Sequence, residues 1–501
     1  MLGFLHPHLP LLSRDAPVLA KSTFILIVQW AASHGVSLWN GDCKSAFLQG
    51  EADTERPTQL YMKPPQDPIA LDSVPEWRHP LLLYALSAPV YGQANAPRRW
   101  FLHVLHVLLD KNWVQHSLDP CCFLQIEGET VTAVLGIHVD DIICCCLNGY
   151  EHHLEVVKQS FEWGSEWEKD DFVFTGRRLR RMEDGSFRID QEHYVADVQL
   201  TRIKHADEEL LSDHPELITE FRSGIGSLQW LAGTTRGDLA ADVSLLQKPP
   251  RELTVGDLKE INRVLKYVRA TAEAYFTVNP IPLSELIFVA YGDSGWANTP
   301  GNKSQGGLVV LATTKQCLET PQRASMLEWK SYRHQRVLRS TLAAEAASLD
   351  RAFDVGNFLA CTFSEMTSGG YKATTATPMY EVIPVTDARS LWDAIHRLST
   401  TFQEKRVEID VAALRQSCRG LRWVPTEQQR ADALTKRSHS LRDSFRKWAQ
   451  APVVVLTDSR SAEHDVDSAA WKTPMSTKEK SNQCHTDEMC HGSKHVGMTW
   501  G

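Results

Sequence analysis

Runs of apolar residues set the elements of this chain. Residues 24–33 (Phe-Ile-Leu-Ile-Val-Gln-Trp-Ala-Ala-Ser) are apolar enough for a buried helix, and Gly35 marks its end. A strand signal starts at Val36 and runs to Asp42. Proline-bounded loops fill 57–80, and Pro97 stands in the first turn of a helix whose apolar residues recur to Leu109. The run Ala133–Ile137 leads into Asp140 and Asp141, and Ile142–Cys145 leads out. That pattern predicts strand, tight turn, strand, with the acidic pair at the hairpin tip.

Further along, Leu258, Ile261, Val264, Leu265 and Val268 share one face of an amphipathic helix. Leu286–Asp293 reads as a strand ending in Asp, Gln305–Leu311 as a second strand, and the segment around Trp329–Ser331 as a third. Ser340 is placed to cap a helix over 341–349, and Pro384–Asp387 is a short strand again ending in Asp. After about residue 450 the chain is polar with little periodicity, which predicts a mostly unstructured tail. Cys484, His485, Cys490, His491 and His495 lie there, at spacings of neither a zinc finger nor a zinc knuckle.

A length of 501 residues allows two to four domains, and 43% hydrophobic with 23% charged residues is the balance of a soluble globular protein. The net charge of -9 argues against a strong nucleic-acid footprint. Local cationic clusters offset it: Arg177, Arg178, Arg180 and Arg181, then Lys330, Arg333, Arg336 and Arg339. Composition leaves the partner open. Eleven cysteines, an odd number with adjacent pairs inside apolar strands, read as buried hydrophobes rather than a disulfide framework. The start of the chain lacks a signal-peptide pattern, and Phe24–Val28 is too short to cross a bilayer. These features predict an intracellular protein with no membrane segment.

The acidic pair carries the first chemical signal. Neighbouring carboxylates between buried strands are costly to ionise unless a cation meets them, and a hard ion such as Mg²⁺ is the natural partner.

Five blocks occur in a telling order: Asp42–Glu51, Leu60–Pro65 (Leu-Tyr-Met-Lys-Pro-Pro), Tyr91–Trp100 with its Ala-Pro-Arg-Arg-Trp end, Leu118–Cys121, and Val139-Asp140-Asp141. This series resembles the reverse transcriptases of copia-type LTR retrotransposons. Phe174-Thr175-Gly176 resembles the strand that follows the hairpin in that family, and Phe221–Ala240 its helical thumb and connection. Asp293, Glu345, Asp387 and Asp432, in the order strand, helix, strand, helix, resemble the acidic set of the retroelement ribonuclease H domain. The resemblance covers roughly residues 15–440.

It implies an α+β and α/β multidomain chain. Residues 1–190 would form a right-hand polymerase palm with truncated fingers, 191–280 helical thumb and connection, 286–440 an RNase H-like mixed α/β domain, and 450–501 the polar tail. It also implies two-metal phosphoryl transfer, with Mg²⁺ or Mn²⁺, two ions per active site. Asp42, Asp140 and Asp141 would hold one pair, and Asp293, Glu345, Asp387 and Asp432 the other. Phe47 would lie under the incoming sugar and disfavour a 2′-hydroxyl, and Arg98 would meet template phosphate. The implied partners are an RNA template, a DNA primer, RNA–DNA hybrid and deoxynucleoside triphosphates. The implied location is the cytoplasm, in virus-like particles, or the nucleus.

Four departures stand out. His138 replaces the usual tyrosine before Val139, and Asn95 the usual glutamine. The resemblance begins only near Ala16, so the fingers strands are expected to be missing, with Lys21 a poor substitute for their basic residues. In the ribonuclease helix, Ala343 and Ala346 replace Glu and Tyr. The alternative expectation is an inactive remnant that binds nucleic acid, or a chain active only as a ribonuclease.

Overall fold

The helix Lys21–His34 is buried on nearly every side, from Thr23 through Ala32, as its unbroken apolar run requires. Gly35, at φ +69°, ends it in the left-handed conformation, its N–H reaching the carbonyls of Ala31 and Ala32. The computed structural model describes residues 13–457, apart from 51–58, 65–66, 80, 398–401 and 403. The tail cysteines and histidines at 484–495 lie outside the described residues.

That helix packs on an antiparallel sheet of six strands. Their order is Val114–Gln115, Cys122–Glu127, Thr130–His138, Asp141–Cys146, Leu38–Asp42 and Glu168–Lys169. Val131–Ile137 is buried without alternation, so both faces of this strand are covered. Gly136 permits the contact: a Cβ there would lie 2.7 Å from Ile27 Cδ1 and 2.8 Å from Leu19 Cδ2. The helix Ala96–Asp110 buries Trp100, Val104 and Leu108, one residue per turn along a single stripe. Cys121, Cys122, Cys144 and Cys145 are buried free thiols.

A second antiparallel sheet joins distant segments in the order Tyr275–Val278, Phe187–Asp190, Arg177–Arg181 and Asp171–Phe174. Its arginine-rich strand is largely engaged within the fold. Arg177 is buried over the Phe24 ring at 4.6 Å, Arg178 grips Asp171 with two 3.0 Å bonds, and Arg180 meets Asp190 at 2.6 Å. Between Asp190 and Tyr275 the chain forms helices with a core of their own, chiefly Pro215–Thr234, Ala240–Leu246 and Val255–Ala270. Thr254 and Asp257 close a capping box at the start of the last of these.

The third sheet runs Arg422–Trp423, Val382–Thr386, Leu286–Thr299, Lys303–Thr314, Gln322–Arg333 and Val453–Val454. Its first three strands are mutually parallel and the rest antiparallel. The strand expected to end at Asp293 continues to Thr299, because Asp293, Ser294 and Gly295 keep pairing with Gly307, Gly306 and Gln305. Asp432 opens a 3₁₀ turn, Asp432–Leu434, rather than an α-helix. The expected tail also begins too early: Val453–Val454 pairs with Gln322–Arg323, and Leu456 N–H donates to Cys317 O at 2.7 Å.

The 27-residue helix Thr341–Thr367 lies on this sheet, with Ser340 Oγ accepting from the Ala343 N–H as the cap. One continuous core joins the first and third sheets. Lys21 is part of that junction. It pairs with Glu328 at 2.7 Å, and its ammonium sits 3.9 Å from the centroid of Trp329, whose indole donates to Ala232 O. Among the described residues, no helix is long and apolar enough to cross a membrane.

Candidate active sites

The first site is built on the hairpin. Thr130–His138 and Asp141–Cys146 are joined by a turn of Val139 and Asp140, so Asp141 already belongs to the return strand. Asp42 sits directly opposite Asp141 on the neighbouring strand. The Cys43 N–H donates to Asp140 O at 2.9 Å and fastens the turn to the end of that strand. Val139 has φ +61°, costly for a β-branched residue. Trp100, fully buried, holds it there by donating its indole N–H to Val139 O at 2.6 Å. The Ala-Pro-Arg-Arg-Trp segment thus supports the acidic turn. Gly164 closes over Asp42: its N–H donates to Asp42 O at 2.8 Å, and a Cβ would press on Asp42 Oδ2 at 2.9 Å.

Burial and the charge of Asp140 both raise Asp42 above the usual carboxylate range. Asp141 is pushed up to about 6 by burial first and Asp140 second, against a backbone hydrogen bond from Thr175. Phe47 is half-buried and lies 4.9 Å from Tyr91, centroid to centroid. The Tyr91 hydroxyl is raised by desolvation and then by Asp140 and Asp42. Arg98 donates to Asp15 O at 2.9 Å, at the edge of the described chain. His138 is half-buried, edge-on to Phe174 at 6.5 Å, and burial lowers its pKa.

The second site lies on the third sheet. Asp293 lies on one strand, Asp387 directly follows the parallel neighbour Val382–Thr386, which stops one residue before the end that the sequence predicts, and Glu345 comes from the long helix. Ligand oxygens of these three converge within 4.8 Å of one another, whereas Asp42, Asp140 and Asp141 form no such group among the described residues. Two glycines make the convergence possible. A Cβ on Gly292 would strike the helix backbone, 2.7 Å from Leu349 Cα and 2.8 Å from Ser348 O. One on Gly307, opposite Asp293, would lie 2.7 Å from Ala431 O, in the segment that carries Asp432.

Burial, with Asp293 and Asp387 adding repulsion, pushes Glu345 up to about 9. Asp293 rises to about 6, again chiefly through burial, although Thr435 Oγ1 donates to its Oδ2 at 2.6 Å. Glu345 Oε2 is buried with no hydrogen-bond partner. An all-oxygen cluster with an unspent buried acceptor fits a hard divalent cation. Asp432 stands to one side, paired with Lys436. Thr435, and Gln429, which spans Gly292 O at 3.0 Å and Asp387 Oδ1 at 3.4 Å, support the cluster. Neither has a periodic signal in the sequence; they sit in the block that also holds Asp432.

Residues 8–200 match the family model described as reverse transcriptase (RNA-dependent DNA polymerase). The chain is 26% identical over 356 residues to the retrovirus-related Pol polyprotein from transposon RE2 of Arabidopsis thaliana, covering 67% of this chain and 22% of that protein. The corresponding protein from transposon TNT 1-94 of Nicotiana tabacum is 22% identical over 359 residues, 66% of this chain and 25% of its own length. A putative transposon Ty5-1 protein of Saccharomyces cerevisiae is 22% identical over 245 residues, 46% of this chain and 75% of its own. The matched region spans only about a fifth of the RE2 polyprotein.

Proposed function

Since this chain belongs with the Pol polyproteins of copia-type retrotransposons and carries their reverse transcriptase domain, we propose that it copies RNA into DNA and cleaves the RNA of the resulting hybrid. In this reading the first sheet is the polymerase palm, the helices between residues 191 and 280 are thumb and connection, and the third sheet is an RNase H-like domain. The observation that carries it is the register of Asp42 against Asp141, beside a strained turn that presents Asp140, all within the matched region.

Divalent ions held by such carboxylates activate an attacking oxygen and stabilise a leaving one. Asp42, Asp140 and Asp141 would hold them in the first site, as Mg²⁺ or Mn²⁺. Trp100 and Gly164 keep these carboxylates in place, so that their geometry need not form anew with each substrate. The Phe47 and Tyr91 rings, tilted by 46° with centroids 4.9 Å apart, would offer the incoming sugar an apolar surface. In the second site Asp293, Glu345 and Asp387 would hold the ions, with Asp432 beside them and water as the nucleophile. Recognition there would rest on hybrid shape and 2′-hydroxyl contacts.

Primer extension on an RNA template, with Mg²⁺ or Mn²⁺, tests the reading. Extension by the wild-type chain that disappears in Asp140→Asn supports it; extension that persists in the variant overturns the site assignment. A second reading, a ribonuclease without polymerase activity, is favoured by one fact: among the described residues, the second of the two acidic sets brings three ligand oxygens within 4.8 Å of one another and the first does not. It predicts hybrid cleavage from a folded chain that does not extend primers.

A further inference from the structure

The loop from residue 197 to 214 precedes the helix Pro215–Thr234 and has no regular structure for most of its length. It is pinned all the same to the start of the helix Val255–Ala270. Val255 N–H donates to Glu209 O and Gly256 N–H to Asp207 O, both at 2.9 Å, and Lys259 Nζ donates to His205 O at 2.7 Å. Leu211 is fully buried beneath, its N–H on Leu253 O at 2.9 Å. This frame fixes three side chains on the outer side of the loop. His214 Nε2 lies 2.7 Å and His205 Nδ1 3.4 Å from the same oxygen, Glu209 Oε2. The two imidazole rings are tilted by 43° to each other with centroids 4.0 Å apart. All three ligand atoms fall within 4.8 Å of one another.

We propose that His205, Glu209 and His214 form a binding site for a transition-metal dication of the zinc class. Two imidazole nitrogens with one carboxylate oxygen is a ligand set that suits Zn²⁺, Co²⁺ or Ni²⁺ and not Mg²⁺. Ligand atoms about 2.0–2.1 Å from a tetrahedral ion are about 3.3 Å apart. The His205–Glu209 distance of 3.4 Å already meets that spacing. The His214–Glu209 distance of 2.7 Å is that of a hydrogen bond, so a proton on His214 occupies the direction the ion would take. The other carboxylate oxygen, Oε1, accepts the Ala206 N–H at 2.6 Å and sets the orientation of the group.

Side-chain exposures of 37%, 39% and 18% for His205, Glu209 and His214 leave the site open to an ion from solvent and its fourth position open to water. An ion here would join the loop to the first turn of the helix Pro215–Thr234, beside the contacts that hold it to the helix Val255–Ala270. The site does not use the Mg²⁺-type carboxylates of either active site, and it stands whether or not those sites are active.

The test is Co²⁺ titration of the full chain followed by absorption spectroscopy, with Zn²⁺ as competitor. The expected result is one tightly bound equivalent with the bands of nitrogen and oxygen ligation, displaced by Zn²⁺. Binding should weaken by at least about tenfold in His214→Gln and in His205→Gln, and remain unchanged in Glu208→Gln, which removes an exposed carboxylate of the same loop outside the cluster. Circular dichroism shows which histidine variant keeps its fold, and either one suffices. Undiminished binding in a folded histidine variant, a sulfur-to-cobalt charge-transfer band from cysteine ligation, or no binding by the folded wild-type chain would each overturn the proposal.

Discussion

Replacing Gly292 by alanine probes how the second site is assembled. The new Cβ would meet Leu349 Cα at 2.7 Å, Ser348 O at 2.8 Å and Leu349 N at 2.9 Å, all backbone atoms of the long helix. Carbon atoms pack at about 3.5–4.0 Å, so the helix must retreat by about 1 Å, with no side chain able to rotate away. Overpacking of this kind costs about 1–3 kcal/mol. Glu345 sits one helical turn before Leu349 and would be carried away from Asp293 and Asp387. A shift of about 1 Å in a catalytic group lowers turnover about a hundredfold. We expect the Gly292→Ala chain to unfold at lower denaturant and to cleave RNA–DNA hybrid about a hundredfold more slowly. Primer extension, which we propose for the first sheet, should change little. Gly226→Ala is the control, since nothing lies within 4 Å of the added methyl group and the position is helical. It should be neutral or stabilise by up to about 1 kcal/mol. A Gly292→Ala chain as stable and as active in cleavage as wild type would refute the packing argument.

Three further outcomes follow from the geometry. Lys21→Ala strands Glu328, whose side chain is 10% exposed, and removes the cation from the Trp329 face; it should cost about 2–3 kcal/mol by urea denaturation. The double variant Lys21→Met, Glu328→Leu should recover most of that loss. Burial first, then Arg351 and Arg336, lower His334 to about 4, so the folded chain refuses a proton that the unfolded chain accepts near pH 6.5. Its stabilising effect is therefore complete above pH 6.5 and lost as the pH falls towards 4. After allowance for its partial exposure, wild type should lose about 1–2 kcal/mol more than His334→Gln over that range in parallel melts. Val139→Gly removes the strain at φ +61° and should stabilise the fold by about 1 kcal/mol, yet slow primer extension because the turn gains freedom.

Local pattern carried much of this architecture. The helix ending at Gly35, the hairpin around Asp140 and Asp141, the capped helix after Ser340 and the face from Leu258 to Val268 all stand where periodicity and cap residues predict them. What pattern could not supply was pairing at a distance. Nothing in Phe187–Asp190 announces that its partner is Tyr275–Val278, because strand propensity does not name a partner. The apolar run stops at Asp293 and predicts a strand end there, whereas ladder bonds to Gly307 and Gly306 carry the strand on. Lys21 looked like a weak stand-in for a nucleotide contact, and only the tertiary fold brings Glu328 and Trp329 to it. The acidic residues themselves are legible, and so is the block that ends at Trp100; that Trp100, Thr435 and the glycines position the acids is not, since each acts through a contact made by the whole fold.

We propose two separate carboxylate centres on one chain, each with its own reaction. A single substrate decides it: a labelled DNA primer annealed to a labelled RNA template, with extension and template cleavage read in the same tube. Asp140→Asn should lose extension and keep cleavage, while Asp293→Asn should lose cleavage and keep extension. Two folded variants that each lose both activities, or that each keep both, would contradict it.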